Sequence, residues 1–376
     1  MSDFGTIYKG KRSLSSLGYD SCGTTIVPKG SVILSTRAPI GKIQIASASL
    51  CTNQGCKSLV QKRKEYLTSF LAYFLYSIKE RLQVMGTGTT FKELSTTNLA
   101  NMPYLLPPLP EQAAIASYLD DKCAAIDEVL AQAKETIEEY KSWKASVIFE
   151  AVTKGLDPNV EMKDSGVEWI GKIPKHWEVC KLKWLCKKIT DGSHFSPETV
   201  DDGFPYITAG NVDGIGIDYR QTKRISLQDY KSLEKSDCRP FQGDVLLVKD
   251  GATTGRVGLM IDNEPCVALS SVAILKPAYN IQSRYLMYIL MSEMLQFQIQ
   301  KSMAGSAMPR TTLSKLVDYT ALICKPKEQS AIASYLDDKC SAIDSIISEK
   351  EALIGELESY KKSLIFETVT GKRRVC

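Results

Sequence analysis

EQAAIASYLDDKCAAID occupies residues 111–127, and EQSAIASYLDDKCSAID occupies residues 328–344. The likeness continues to SVIFEAVT at 146–153 and SLIFETVT at 363–370. The offset is a constant 217 residues, and 25 of 43 aligned positions are identical. A fixed internal period sets the architecture before any local reading. This one is far longer than a solenoid repeat, so it marks a large unit copied once.

Both copies read as long helices. In the first, Leu119, Cys123, Ile126, Leu130, Ala133 and Ile137 step by four and three residues; in the second, Leu336, Cys340, Ile343, Ile347, Lys350 and Ile354 do the same. A mean step of 3.5 residues is the seam of a coiled coil. Pro107, Pro108 and Pro110 precede the first helix and Pro326 the second, as helix starts allow. Gly155 and Gly371 follow the ends, where a left-handed cap is favoured. Each helix spans roughly 60 Å at about 1.5 Å per residue. A lone helix of this kind would expose its seam, so the two are expected to pair, antiparallel if the repeats are related by a two-fold axis. Lys144 and Lys361 share one seam position. Either they fix register or they snorkel at a frayed end.

The 376 residues exceed one ordinary core. No apolar run approaches the roughly 18–20 residues that span a membrane. The start, MSDFGTIYKGKRS, lacks a signal peptide's apolar core. A cytoplasmic protein is expected. The eleven cysteines include no CxxC pair, and Cys123 and Cys340 read as packing. Two histidines, His176 and His194, argue against a metal site or Ser-His and Cys-His catalysis. Net charge is only +4. Residues 1–110 nevertheless hold 13 Lys/Arg against 5 Asp/Glu, whereas residues 111–155 hold 5 against 9. Positive charge lies outside the helices, which suits globular parts that touch a polyanion while the helices touch protein.

The blocks around the helices look related. Lys29-Gly30-SVILSTRAPIGKI parallels Gln242-Gly243-DVLLVKDGATTGRV, with one inserted residue. Each block then shows a helical stretch, TSFLAYFLYSIKERLQVM or SRYLMYILMSEMLQFQIQ, and a Gly/Thr-rich loop, GTGTTFKEL or AGSAMPRTTL. Thr153–Trp177 reads as a Gly/Pro/Asp-punctuated linker. The division expected is a first domain at 1–110, a helix at 111–155, a linker at 156–176, a second domain at 177–327, a helix at 328–371 and a tail at 372–376. The class expected is α+β: two mixed α/β domains separated by two long helices that pair as an antiparallel coiled coil.

This layout resembles the DNA specificity subunit of type I restriction–modification systems. The resemblance covers nearly the whole chain. It rests on PLPEQAAIASYLD and KPKEQSAIASYLD, on GLDPNVEMKDSGVEWIGKIPKHW, and on GDVLLVKDGATTG. It implies a non-catalytic subunit whose two target recognition domains each read half of a bipartite, asymmetric site in double-stranded DNA through the major groove. It also implies that the helices dock two modification (methyltransferase) subunits and set the spacing of the half-sites. Restriction (endonuclease/translocase) subunits would join, and S-adenosylmethionine, magnesium and ATP would belong to those partners, with no cofactor in this chain. The first domain departs from the pattern. It has 29 residues before Gly30, against about 66 from Trp177 to Gly243, and reads as N-terminally truncated.

Base edges are read by Arg or Lys at guanine and by Asn or Gln at adenine, and phosphates by exposed Lys and Arg. In the second domain the candidates are Lys187, Lys188, His194, Arg220, Lys223, Arg224, Lys249, Arg256 and Arg310. In the first they are Lys9, Lys11, Arg12, Arg37, Lys42 and Lys92. Arg310, a single cation among small residues in GSAMPRTT, is the leading base reader. Enzyme motifs fail. Asn101-Met102-Pro103-Tyr104 is similar to the NPPY loop of adenine methyltransferases, but Met102 replaces a proline and no Gly-rich cofactor loop precedes it. Gly251-ATTG-Arg256 lacks the lysine-hydroxyl ending of a phosphate loop. Three rivals stay open: a truncated or silent subunit acting as half-site reader or recombination partner, a stand-alone DNA methyltransferase, and a purely structural coiled-coil scaffold.

Overall fold

The computed structural model describes residues 2–37, 39–62, 65–88, 92–303 and 309–375. Residues 89–91 and 304–308, parts of the two Gly/Thr-rich loops, lie outside the described residues. Contacts divide the chain into two compact units, Met1–Thr136 with Glu349–Cys376, and Ile137–Ser348. The boundary differs from the expected one. Each unit takes a sheet-bearing block together with one part of each long helix, because the blocks pack on the helices and share a core with them.

The long helices run Leu109–Lys154 and Pro326–Val369. Pro326 opens the second, where its missing N–H costs nothing. The first begins at Leu109, so Pro110 lies inside its first turn. Gly155 and Gly371 adopt φ of 75° and 73°, the left-handed caps expected. In the first unit, Asp127 meets Lys361 and Lys134 meets Glu358. In the second, Lys144 meets Asp344. Rising numbers on one helix meet falling numbers on the other, so the pair is antiparallel. Leu119, Ile126, Leu130, Ile137, Leu336 and Ile343 are buried. Ile347 and Ile354 are half-buried, since a two-helix seam leaves its ridge partly open wherever no third element covers it.

In the first unit a four-stranded sheet has the order Phe4–Ile7, Ile43–Ala46, Val32–Ser35, Cys56–Leu59. The first pair is parallel and the others antiparallel. In the second unit the order is Gly214–Ile215, Val257–Leu259, Val245–Val248, Val272–Pro277, Cys186–Asp191. Again only the first pair is parallel. The two sheets are one design, and the second carries one further edge strand, Cys186–Asp191. The second unit also holds a smaller sheet of Thr199–Val200, Lys223–Ile225, Phe204–Ile207 and Val267–Ala268.

One short helix ties each sheet to the long helices. Thr68–Ser77 buries six consecutive residues, Phe70–Leu75. Leu71 and Leu75 join Val32, Leu34 and Ile43 of the sheet, while Phe70 and Tyr73 join Leu119, Cys123, Leu364 and Ile365 of the long helices. A helix apolar all round is one buried on both sides. Ser283–Met291 does the same in the second unit, burying Tyr285–Leu290.

The expected linker is folded. Met162–Asp164 pairs with Lys172–Pro174, and Ile170, Ile173 and Trp177 are buried in the second unit's core. Gly166 and Gly171 adopt left-handed φ in the hairpin turn, and Ile170 and Ile173 face inward while Leu156 and Trp169 stay exposed.

Candidate nucleic-acid interface

The repeated EQ and YLDD motifs seat each block on its helix. Gln112 is fully buried. Its Oε1 accepts from the Leu67 N–H at 2.8 Å, and its Nε2 donates to the carbonyls of Pro107 and Glu65. Gln329 repeats this, accepting from the Gln282 N–H at 2.9 Å and donating to Cys324 and Asn280. Leu67 and Gln282 are the N-cap residues of the two short helices and lack a side-chain cap. Tyr73 then donates to Asp120 at 2.7 Å, and Tyr288 to Asp337 at 2.8 Å. Sequence reading missed all six of these residues. For Gln112 and Gln329, and for Asp120 and Asp337, the signal was identity across the 217-residue offset at polar positions; Tyr73 and Tyr288 lie 215 residues apart, outside that register. Cys123 and Cys340 lie beside them, and burial pushes both thiols up to about 11, as packing residues require.

With the blocks seated, loops from several strands meet at one end of each sheet. In the second unit, Lys249 follows the strand Val245–Val248 and is buried. Its Nζ lies 2.8 Å from Asp250 Oδ2 and 3.5 Å from Asp191 Oδ2. Lys249 is therefore an internal counter-ion and not the surface cation expected from the sequence. The strand keeps it inside, and Asp191, from the extra edge strand, completes its shell. His194 Nε2 lies 3.2 Å from Asp191 Oδ2, and Arg310 Nε lies 3.0 Å from Asp250 Oδ1. His194 and Arg310 stay 70% and 59% exposed. Two carboxylates thus share one buried ammonium and hold two exposed side chains.

The remaining candidates are scattered. Arg256 is exposed at the far side of the hairpin loop, whose closure is marked by Val248 N–H donating to the Arg256 carbonyl at 2.8 Å. It has no ion pair among the described residues. Lys187 and Lys188 are exposed on the edge strand, and Lys188 pairs with Asp237. Lys223 and Arg224 belong to the smaller sheet, where Arg224 donates to the Gly203 carbonyl at 2.7 Å. Arg220 holds both oxygens of Asp218 at 2.9 and 3.0 Å. Those bonds bring the Asp218 carboxyl down to about 2.

In the first unit, Arg37 donates from Nε and Nη2 to Glu93 Oε2 at 2.8 and 2.6 Å. Lys42 sits half-buried across the hairpin loop, and Lys92 is exposed next to Glu93. Lys9 and Arg12 line an open cleft of about 1090 Å³ with Tyr19 and Asn53. Tyr104 is packed inward against Phe74 at 4.8 Å between ring centres, so the NMPY stretch presents no base-holding loop.

A twice-used sheet-and-helix domain, each copy seated on one part of both antiparallel helices, with charged loops at the sheet ends, defines a duplicated recognition protein. Residues 4–139 and 174–356 match the family described as type I restriction modification DNA specificity domain, and the chain belongs to that family. It is 28% identical over 330 residues to the MjaIX type I restriction enzyme specificity subunit of Methanocaldococcus jannaschii, covering 82% of this chain and 71% of that protein. It is 25% identical over 259 residues to the EcoBI specificity subunit of Escherichia coli, covering 66% and 53%. A structure solved to explain complex assembly and conformational transition of the type I R-M system shares the fold. Its TM-score is 0.71 at 16% identity, over 94% of this chain and 85% of that one.

Proposed function

We propose that this chain is the non-catalytic DNA-reading subunit of a type I restriction–modification complex and recognises a bipartite, asymmetric site. Each unit's loop end faces one half-site. The outer surfaces of the long helices dock two modification subunits, and restriction subunits join that assembly. S-adenosylmethionine, magnesium and ATP are held by those partners. The observation that carries the reading is the duplicated seat beneath unlike loops. Gln112 and Gln329 make the same bonds, and Tyr73 and Tyr288 make the same bonds, while the loop residues above them differ. A protein that held two identical ligands would repeat its loops as faithfully as its seats. One that reads two different half-sites keeps the seat and varies the loops.

Base-edge contacts give sequence preference, and lysine and arginine contacts to phosphate give salt-dependent affinity. Arg310 is assigned to the first role. Arg256, Lys187, Lys223 and Lys92 are assigned to the second. The test is methylation of a genomic DNA library by the chain together with its modification subunits, read by sequencing. A single split motif with two different halves is expected. Methylation without sequence preference, or transfer by this chain alone, would overturn the reading.

A further inference from the structure

The loop ends of the two units carry the same ion pair in opposite order. In the first unit, Arg37 follows the strand Val32–Ser35 and forms an isolated antiparallel bridge with Glu93. In the second, Asp250 follows the strand Val245–Val248 and forms the same bridge with Arg310. The backbone frame is shared. Leu94 N–H donates to the Thr36 carbonyl at 3.0 Å, and Thr311 N–H to the Lys249 carbonyl at 2.9 Å. Glu93 and Arg310 are separated by the same 217 residues as the helices. The cation and the carboxylate have changed places on one scaffold.

The exchange alters what each end can offer a base. Arg310 approaches Asp250 through Nε at 3.0 Å and its side chain stays 59% exposed, so the ion pair is made at the root of the planar fork and the terminal nitrogens are available to a base. That fork matches the O6 and N7 acceptors of guanine. Arg37 places Nε and Nη2 on one oxygen of Glu93, so its side-on edge is engaged by the carboxylate, and the other Glu93 oxygen is left to accept from a base amino group. The buried charges follow the same logic. Asp250 and Asp191 together need the Lys249 ammonium between them. In the first unit Thr36 stands where Lys249 does, and no strand equivalent to Cys186–Asp191 appears among the described residues. A lone Arg–Glu pair is already neutral. The second unit thus builds a fixed, electrically balanced base beneath Arg310.

We propose that Asp250 is a positioning residue that aims the Arg310 fork at a guanine in one half-site, and that the reversed pair, Arg37 with Glu93, gives the other half-site a different base chemistry. The proposal rests on the DNA-reading function above and adds which residue fixes the reader and why the halves differ.

The test selects duplexes from a DNA pool with randomised positions, using the full chain with its modification subunits, followed by sequencing. Compared with the unaltered chain, Asp250→Asn should lower enrichment for one guanine by about tenfold or more, the worth of a bidentate base contact. The other half-site should be unchanged. Arg310→Ala should lose the same guanine, and Arg310→Lys should not restore it. The double variant Asp250→Arg with Arg310→Glu keeps the ion pair in the first unit's order, and should select a different base at that one position. Enrichment within twofold of the unaltered chain in Asp250→Asn would sink the proposal, as would a loss spread evenly over both halves. If Asp250→Asn fails to fold, the double variant decides, and an unchanged motif there overturns the idea. An unaltered chain that selects no motif defeats the DNA-reading function itself. One that selects a motif indifferent to Asp250 and Arg310 defeats only this inference.

Discussion

Lys361 Nζ donates to both carboxylate oxygens of Asp127, at 2.6 and 2.7 Å. Its repeat mate Lys144 holds Asp344 the same way, at 2.7 Å to each oxygen. Of the two roles the sequence left open for these lysines, the geometry selects register. A slip of either helix by one turn would separate both pairs at once. The carboxylates are more than half exposed, so each bridge contributes at most about 1 kcal/mol to stability. Asp344→Lys should destabilise the second unit by about that amount, because it sets two cations face to face. Adding Lys144→Asp should recover most of the loss. Thermal melts of the single and double variants check this, and equal losses in both would show that the bridge does not set register.

The glutamine seats are more costly to remove. Gln112→Ala strands the Leu67 N–H and the Pro107 carbonyl in a buried site, and each orphaned group costs about 1–3 kcal/mol. Gln329→Ala should do the same in the second unit. Hydrogen exchange should speed up at Leu67 and the first turn of Thr68–Ser77 in one variant, and at Gln282 and the start of Ser283–Met291 in the other. Uniform loosening of the whole chain would mean that these residues act only through global stability.

Acid should weaken the second unit through Glu328. Burial pushes this carboxyl up, but hydrogen bonds from His176 and Trp177 more than offset that and hold it below its ordinary value. The folded state therefore binds this proton less readily than the unfolded chain does. The stabilisation is fully present above about pH 4.3, the ordinary glutamate value, and is lost as the pH falls through the lower folded value. Glu328→Gln should reduce stability at pH 7 and flatten this part of the acid dependence. Melting temperatures at pH 7 and pH 3 for both proteins measure it.

Long-helix length should set half-site spacing. Four residues inserted near Ile137 add about one turn, or roughly 5.4 Å. Against about 3.4 Å per base pair, the methylated motif should widen by one or two base pairs. An unchanged spacer in the sequenced methylation sites would refute the measuring role.

Arg256 and Arg310 should separate by salt. Arg256→Ala removes an assigned phosphate contact, so affinity should fall alike for all sequences, and the slope of log K against log salt should become shallower by about 0.9. The selected motif should stay the same. A changed motif would reassign Arg256 to base reading.

Periodicity carried the helices and the fold class. A step of 3.5 residues calls for a partner seam, while the antiparallel direction was expected only from a two-fold relation between the repeats and is seen in the Asp127–Lys361 and Lys134–Glu358 pairs. The paired sheets were legible because Lys29–Ile43 and Gln242–Val257 alternate strand and turn in the same order. Lys249 was not legible as an internal ion. Its local sequence, VKDGATTG, looks like an exposed turn, and its burial between Asp250 and Asp191 brings in a carboxylate from a strand far away in sequence. The hairpin within 162–174 was missed because glycine and proline mark tight turns and loose linkers alike. Gln112 and Gln329 escaped because their partners are main-chain atoms, which leave no pattern in side-chain chemistry.

That last point carries beyond stability. The amides and carbonyls that each glutamine grips are present in any polypeptide of the right backbone shape. A recognition block could exchange its loop residues and still find its place on the helices, provided it kept a tyrosine for Asp120 or Asp337 and the apolar short helix that packs beside it. Such a joint tolerates nearly any visitor of the proper form. It leaves the choice of DNA free to drift, or to be replaced wholesale, while the assembly around it stays intact.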